Sequence, residues 1–343
     1  MNTSKSYYPS LFIVGLLLIV SFFLNLSLGS VSVPPKEVFY ALLDQPVANE
    51  SWRYIIVNYR LPKSLTAILV GSGLSLSGLL MQTLFRNPLA GPFVLGISSG
   101  ASLGVALLIM GTSIFGGAIG IGLGYSAGTI IAATIGSFLV LLAIMIVASA
   151  VKDTMTLLII GLMFGSITSS VVSVLSYFTE KEQLQQYIFW SFGSLGNLSW
   201  NQLLLLTILI VLGILIAVSC IKPLNAFLLG EHYASSMGID VKKSRYLIII
   251  ATSLLAGSIT AFAGPIAFIG LAVPHLSRQL FPTQNHKTMI PATIGFGAMI
   301  MLLCDTVAQL PGSTLTLPIN AITSLVGAPV IIWLLVRKRK MIF

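Results

Sequence analysis

Residues 87–151 contain no Asp, Glu, Lys or Arg over 65 consecutive positions. Such a stretch cannot make the water-facing side of a soluble domain. About 20 uncharged residues cross the hydrocarbon core of a bilayer as one helix, because only a helix or a closed barrel satisfies every backbone group in lipid. The stretch therefore holds two spans. A second one, residues 306–336, holds one span with its approach. With 56% hydrophobic and only 8% charged residues, the chain is expected to be an all-α polytopic membrane protein with about ten spans.

The segment 60–104 shows how a pair of spans is written. Arg60 and Lys63 flank a proline, an uncharged run follows, Arg86-Asn87-Pro88 breaks it, and a second uncharged run begins. Proline removes a backbone donor and pushes the residue before it out of the helical region. Gly71, Gly73, Ser75, Ser77 and Gly78 lie in the first run, and Gly96, Gly100 and Gly104 recur at four-residue spacing in the second. Small residues so placed let helix backbones touch where lipid supplies no hydrophobic drive between helices. Gly116, Gly120, Gly124, Gly128, Ala132 and Gly136 continue the spacing and predict a smooth face on the fourth span.

The expected spans are residues 11–28, 65–84, a third before a glycine-rich connection at 111–124, then 124–148, 156–178, 202–221, 247–262, 266–277, 289–308 and 317–336. Between the first two lies a segment, 29–59, expected to be a loop with a short helix. Residues 179–200 are too polar to span; Tyr187, Phe189, Trp190 and Phe192 predict a helix at the membrane interface. Pro223 is expected to stop the sixth span before a mixed-charge loop. The triplet Ala-Gly-Pro occurs at 90–92 and again at 263–265, five spans apart. An odd offset inverts topology, which suggests two five-helix halves related by an inverted repeat.

The net charge of +9 does not mean nucleic acid, because its distribution follows the membrane. With ten spans and both termini cytoplasmic, thirteen Lys and Arg fall inside and five outside (Lys36, Arg53, Arg60, Lys63, Lys181). Cys220 and Cys304 lack metal or disulfide spacing and read as packing residues. No metal site and no catalytic residue is expected. The chain has no phosphate-binding G-x-x-x-x-G-K-[ST] loop, no H-E-x-x-H and no G-x-S-x-G. A proton-coupled transporter needs an ionisable group at depth, and Asp305 is the main candidate. In the fifth span Ser166, Ser169, Ser170 and Ser173 form a weakly polar stripe that either lines a pathway or bonds its own helix backbone. A pore without a motor implies energy from another subunit.

Five motifs in order, RLPKSLTAILVGSGLSLSG, LMQTLFRNPLAGPFVLGISSGASLG, LLGEHYASSMGI, AGPIAFIGLAVPHLSRQL and LVGAPVIIWLL, resemble the permease subunits of iron-siderophore, haem and cobalamin ABC importers, the FecCD-like type II importers. The resemblance implies that residues 1–343 form a single transmembrane domain in the bacterial cytoplasmic (inner) membrane, working as a homodimer with two cytoplasmic ATPase subunits and an external substrate-binding protein. It implies no cofactor in this chain, with ATP and Mg held by the partner ATPase. It assigns Arg60 and Lys63 to docking of the binding protein. It places ATPase coupling in a loop over about 222–245, at Gly230, Glu231, Ala234 and Gly238. It puts a cytoplasmic gate at Asp153, Thr154, Met155 and Thr156. The substrate it implies first is a ferric siderophore, with haem or cobalamin as alternatives; the rival class is a secondary transporter using Asp305. The chain departs from the family pattern at Gln309, where an Arg is frequent, and at Thr316 and Asn320, where a Glu and a Gly are usual.

Overall fold

Every regular element among the described residues is helical, as the uncharged runs require. The computed structural model describes residues 7–111, 125–151, 154–313 and 315–337. In chain order the helices are α1 (Tyr8–Ser27), α2 (Pro35–Leu42), α3 (Glu50–Ile55), α4 (Leu61–Leu84), α5 (Ile97–Ile109), α6 (Tyr125–Ala150), α7 (Thr154–Phe178) and α8 (Lys181–Ser191). There follow α9 (Trp200–Ser219), α10 (Ile221–Phe227), α11 (Glu231–Ser236), α12 (Val241–Ala263), α13 (Ile269–Leu280), α14 (His286–Ala308) and α15 (Ile319–Arg337).

Each expected span has its helix. Those of α1, α4, α6, α7, α9, α12 and α14 are long and apolar enough to cross a bilayer. The other three, α5, α13 and α15, are shorter. With 13 residues, α5 rises about 20 Å, less than the ~30 Å hydrocarbon core. It is preceded by a 3-10 turn, Pro92–Leu95. Non-helical backbone is tolerated at depth only where protein covers it, and Pro92 and Leu95 are buried.

Both Ala-Gly-Pro triplets are followed by a residue of positive φ and then a short helix, although only the first passes through a 3-10 turn. After the first, Gly96 takes φ +69° and α5 begins; after the second, Phe268 takes φ +66° and α13 begins. The repeated triplet thus marks two places where an irregular entry precedes a short helix.

Four features differ from expectation. The chain is already helical upstream of α4, through α3 and a π-helical turn at Ile56–Arg60. Segment 29–59 holds two short helices rather than one, folded over a cluster of Leu26, Val33, Val38, Ala41 and Ile56 with Trp52 beside it. Pro223 does not end a helix: α9 stops at Ser219 and the proline sits in the first turn of α10, where its missing N–H would have had no partner. Upstream extension of α12 to Val241 follows from Asp240, whose carboxylate accepts the Lys243 N–H at 2.9 Å as an N-cap. The connection at 111–124 lies outside the described residues from 112 onward.

The chain forms two compact units. The first comprises the described parts of Met1–Leu79, Ser194–Thr207 and Ala267–Ile342, and the second Leu80–Gly193 with Ile208–Ile266. In the first, α4 lies directly against α13 and α14: a Cβ on Gly78 would run into the Gly270 carbonyl, and one on Gly71 into that of Gly297. In the second, Gly100 and Gly104 of α5 meet Gly136 and Ala132 of α6 in the same way. The four-residue spacing seen in the sequence is therefore a set of backbone-to-backbone contacts.

Gly78→Ala is expected to cost about 1–3 kcal/mol or more through forced separation of α4 and α13. Gly15→Ala, with nothing within 4 Å of the new methyl, should be neutral or gain a few tenths of a kcal/mol from helix propensity. Thermal unfolding of the purified variants in detergent checks both. Equal melting temperatures would show that the contact is not tight.

Candidate functional site

Three regions carry the candidate residues: a buried polar cluster in the first unit, and the α10–α12 loop and the face of α7 in the second.

The cluster begins with Arg60, at the end of the π-helical turn. Its Nη1 donates to the carbonyls of Leu26 (2.7 Å) and Ser27 (3.0 Å), and its Nη2 to that of Val31. Leu26 and Ser27 end α1, where the last carbonyls have no helical partner. A guanidinium with five donors in a fixed fork suits such a row. The side chain is only 7% exposed. One turn on, Lys63 reaches the carboxylate of Asp305 at 3.0 Å. Asp305 is 1% exposed, and its other oxygen accepts from Asn25 Nδ2 (3.0 Å) and Gln309 Nε2 (2.7 Å). Asn25 also donates to Thr306 Oγ1 (3.0 Å) and accepts from Ser64 Oγ (2.5 Å).

The structure thus brings Arg60 and Lys63 into one assembly that fastens α1, α4 and α14. Both cations are engaged within the chain, and Lys63 is the more exposed, with 22% of its side chain accessible. Asp305, the carboxylate a proton-coupled mechanism would need, has three donors in place and acts as a fastener. Gln309 supplies by a neutral amide a bond to Asp305 from the position where an Arg is frequent. Asn320 accepts the Ala267 N–H at 3.0 Å, so its side chain braces the irregular entry to α13.

In the α10–α12 loop, Gly230 (φ +107°) and Gly238 (φ +79°) bracket the short helix α11. L side chains rarely adopt these angles, which explains glycine at both ends. Ala234 is fully buried beneath α11. Glu231 opens the helix, and both its carboxylate oxygens accept from Arg245 Nη2, at 2.9 and 3.0 Å. The opposite side carries Leu229, Tyr233 and Met237, each more than half exposed. Leu229 precedes the helix, Tyr233 lies on it and Met237 is its C-cap, so the loop leaves three large apolar side chains exposed.

On α7 the four serines are exposed. The hydroxyls of Ser166, Ser170 and Ser173 donate to the carbonyls of Leu162, Ser166 and Ser169 within the helix. Of the gate residues, Asp153 lies outside the described residues, Thr154 begins α7, and Met155 and Thr156 are exposed. The helix α8 forms as expected. Tyr187 stacks on Trp190 with centroids 6.1 Å apart and shares a 2.6 Å hydrogen bond with Ser102 of α5. Burial raises the Tyr187 phenol above its ordinary range, with the Ser102 bond working the other way.

The FecCD transport family model matches residues 17–337. The chain belongs to the FecCD transport family. Among its FecCD relatives, the hemin transport system permease protein HmuU of Yersinia pestis is 33% identical over 95% of this chain and 96% of its own length. The vitamin B12 import system permease protein BtuC of Klebsiella pneumoniae is 35% identical over 96% of this chain and 94% of its own length. A solved structure described as a metal-chelate type ABC transporter in an inward-facing conformation superposes with a TM-score of 0.84 at 31% identity, covering 97% of this chain and all of that one. The FecCD fold therefore extends over both units and includes the cluster and the loop.

What the motifs did not reveal is the pairing of Lys63 with Asp305 and of Glu231 with Arg245. A double-mutant cycle on the first pair tests its fastening role. Asp305→Ala alone should lower stability by about 3 kcal/mol, the low end for breaking a buried pair because Lys63 is partly solvated. Adding Lys63→Met should recover part of that loss. Additive losses in detergent melting would remove the pair from the account.

Proposed function

We propose that this chain is the membrane-spanning permease half of a binding-protein-dependent ABC importer, working as a homodimer with an ATPase pair that supplies the energy, and that it moves a metal chelate. A ferric siderophore is the first choice of cargo on the strength of the motif resemblance. Haem and cobalamin are the alternatives, supported by the named relatives. The ATPase would hold ATP and Mg; this chain would hold neither.

The observation that carries the reading is the α10–α12 loop. A short helix with its base held by Ala234 and the Glu231–Arg245 pair, and with Leu229, Tyr233 and Met237 exposed on and beside it, suits a segment that seats in an apolar groove. A cleft on the ATPase is the occupant this reading assigns to it. Rigid-body movement imposed by nucleotide would then pass through α11 into the spans. On this reading the loop faces the cytoplasm, as do both termini. Lys63 keeps enough exposure to meet an acidic group on an external binding protein, while Arg60 shapes the rim it would dock on. Contacts of that kind set encounter and register more than affinity.

The exposed serines of α7 would line the translocation pathway once a second copy faces them. The hydroxyls of Ser166, Ser170 and Ser173 already bond their own helix and leave weak polarity rather than a tight site, so affinity would reside in the binding protein. Met155 and Thr156, with Asp153 and Thr154, are assigned to the cytoplasmic gate.

Uptake of labelled ferric siderophore, hemin and cobalamin into vesicles carrying the permease, its co-encoded ATPase and binding protein tests the function. One chelate should enter only with ATP on the ATPase side. Glu231→Lys should abolish that uptake, because it sets two cations against each other at the base of α11. Entry that ignores ATP and follows a proton gradient would refute the reading. Replacing Ser166, Ser169, Ser170 and Ser173 by Ala should change the uptake rate and leave chelate binding by the external protein unaltered. Tight chelate binding by the purified permease alone would contradict the weak-site prediction.

A further inference from the structure

Arg245 does more than hold Glu231. It projects from the first turns of α12, and its side chain is 8% exposed. While Nη2 holds the Glu231 carboxylate, Nη1 donates to the carbonyl of Val151 at 3.2 Å. Val151 follows the last residue of α6, and its N–H bonds the Val147 carbonyl at 2.9 Å, continuing the helical pattern. The Val151 carbonyl is thus one of the acceptors a helix leaves unmet at its C-terminus, where a cation is also favoured by the helix dipole. Three residues further on, α7 begins at Thr154. One planar side chain therefore joins three points: the start of α11, the first turns of α12 and the junction of α6 with α7. All three belong to the second unit.

We propose that Arg245 is the positioning residue that links α11 to the α6–α7 junction, so that displacement of α11 is carried to the turn assigned above to the gate. The inference rests on the reading of α11 as the ATPase contact. The guanidinium is rigid and its donors are fixed relative to one another. A shift of α11 must either draw the α6 terminus with it or break one of two charge-assisted bonds. The linkage gives the loop and the junction a shared mechanical element that neither the small residues of α11 nor the gate residues provide by themselves. It also gives the Glu231 carboxylate a role: a neutral residue there would remove the ion pair that ties α11 to Arg245.

The test uses the full permease–ATPase complex in lipid nanodiscs, with amide hydrogen exchange followed over residues 145–160 before and after trapping with Mg-ATP and orthovanadate. In the wild-type complex trapping should change exchange there by at least about fivefold, the lower end of ordinary coupling between sites. Arg245→Gln should lose that response while the ATPase still co-purifies, and Arg245→Lys should keep at least part of it. The exchanged pair Glu231→Arg with Arg245→Glu restores the ion pair but leaves Val151 without its donor, so it should assemble and still fail to respond. Glu231→Gln, at a partly exposed position, is the variant to read if Arg245→Gln does not fold, and it too should blunt the response. A wild-type response in Arg245→Gln, in Glu231→Gln or in the exchanged pair would overturn the linkage. Failure of the ATPase to co-purify with the wild-type permease would overturn the underlying reading of α11 instead.

Discussion

Helices in lipid gain nothing from burying leucine against leucine, so association rests on how closely their backbones approach. In this protein that closeness is set by glycine facing carbonyl. Gly78 against Gly270 and Gly71 against Gly297 hold α4 to α13 and α14, and Gly100 and Gly104 hold α5 to Gly136 and Ala132 of α6. The contacts admit no methyl group, so these helix pairs are held at backbone distance.

Polar groups complete what packing cannot. The buried carboxylate of Asp305 would be costly alone, yet Lys63, Asn25 and Gln309 all reach it. Their bonds fasten helices that are distant in sequence and, through Arg60, close the end of α1 against the start of α4. The cluster engages both oxygens of Asp305 in holding α1, α4 and α14 together.

Much of this was legible in the sequence, and the reasons are local. Uncharged length marks spans, four-residue spacing of glycine marks close contacts, and Arg86-Asn87-Pro88 marks a break; the Asn87 side chain indeed accepts the Leu89 N–H at 2.9 Å in the turn after α4. What stayed hidden depends on partners far along the chain. Arg60 reads as an exposed cation until the carbonyls of Leu26, Ser27 and Val31 are found opposite it. Lys63 and Asp305 are 242 positions apart, and no periodicity connects them. The shortness of α5 was hidden as well, because an apolar run gives no sign of where helix yields to an irregular entry covered by neighbours, whereas the twelve-residue length of α13 was legible between Ala263-Gly264-Pro265 and the polar residues after it. Pro223 misled because proline ends one helix and opens another with equal ease.

The same distinction separates the two cation sites. At Arg60 and at Arg245 a guanidinium caps the carbonyls at the end of a helix, α1 in one case and α6 in the other. Among the described residues Arg60 donates to backbone carbonyls, those of Leu26, Ser27 and Val31, so it fixes a shape. Arg245 binds one backbone carbonyl and one carboxylate carried on a separate short helix bounded by two glycines in left-handed conformation. The two caps therefore differ in their far ligand, backbone at Arg60 and a carboxylate on a separate short helix at Arg245, and it is this difference that the proposed linkage draws on.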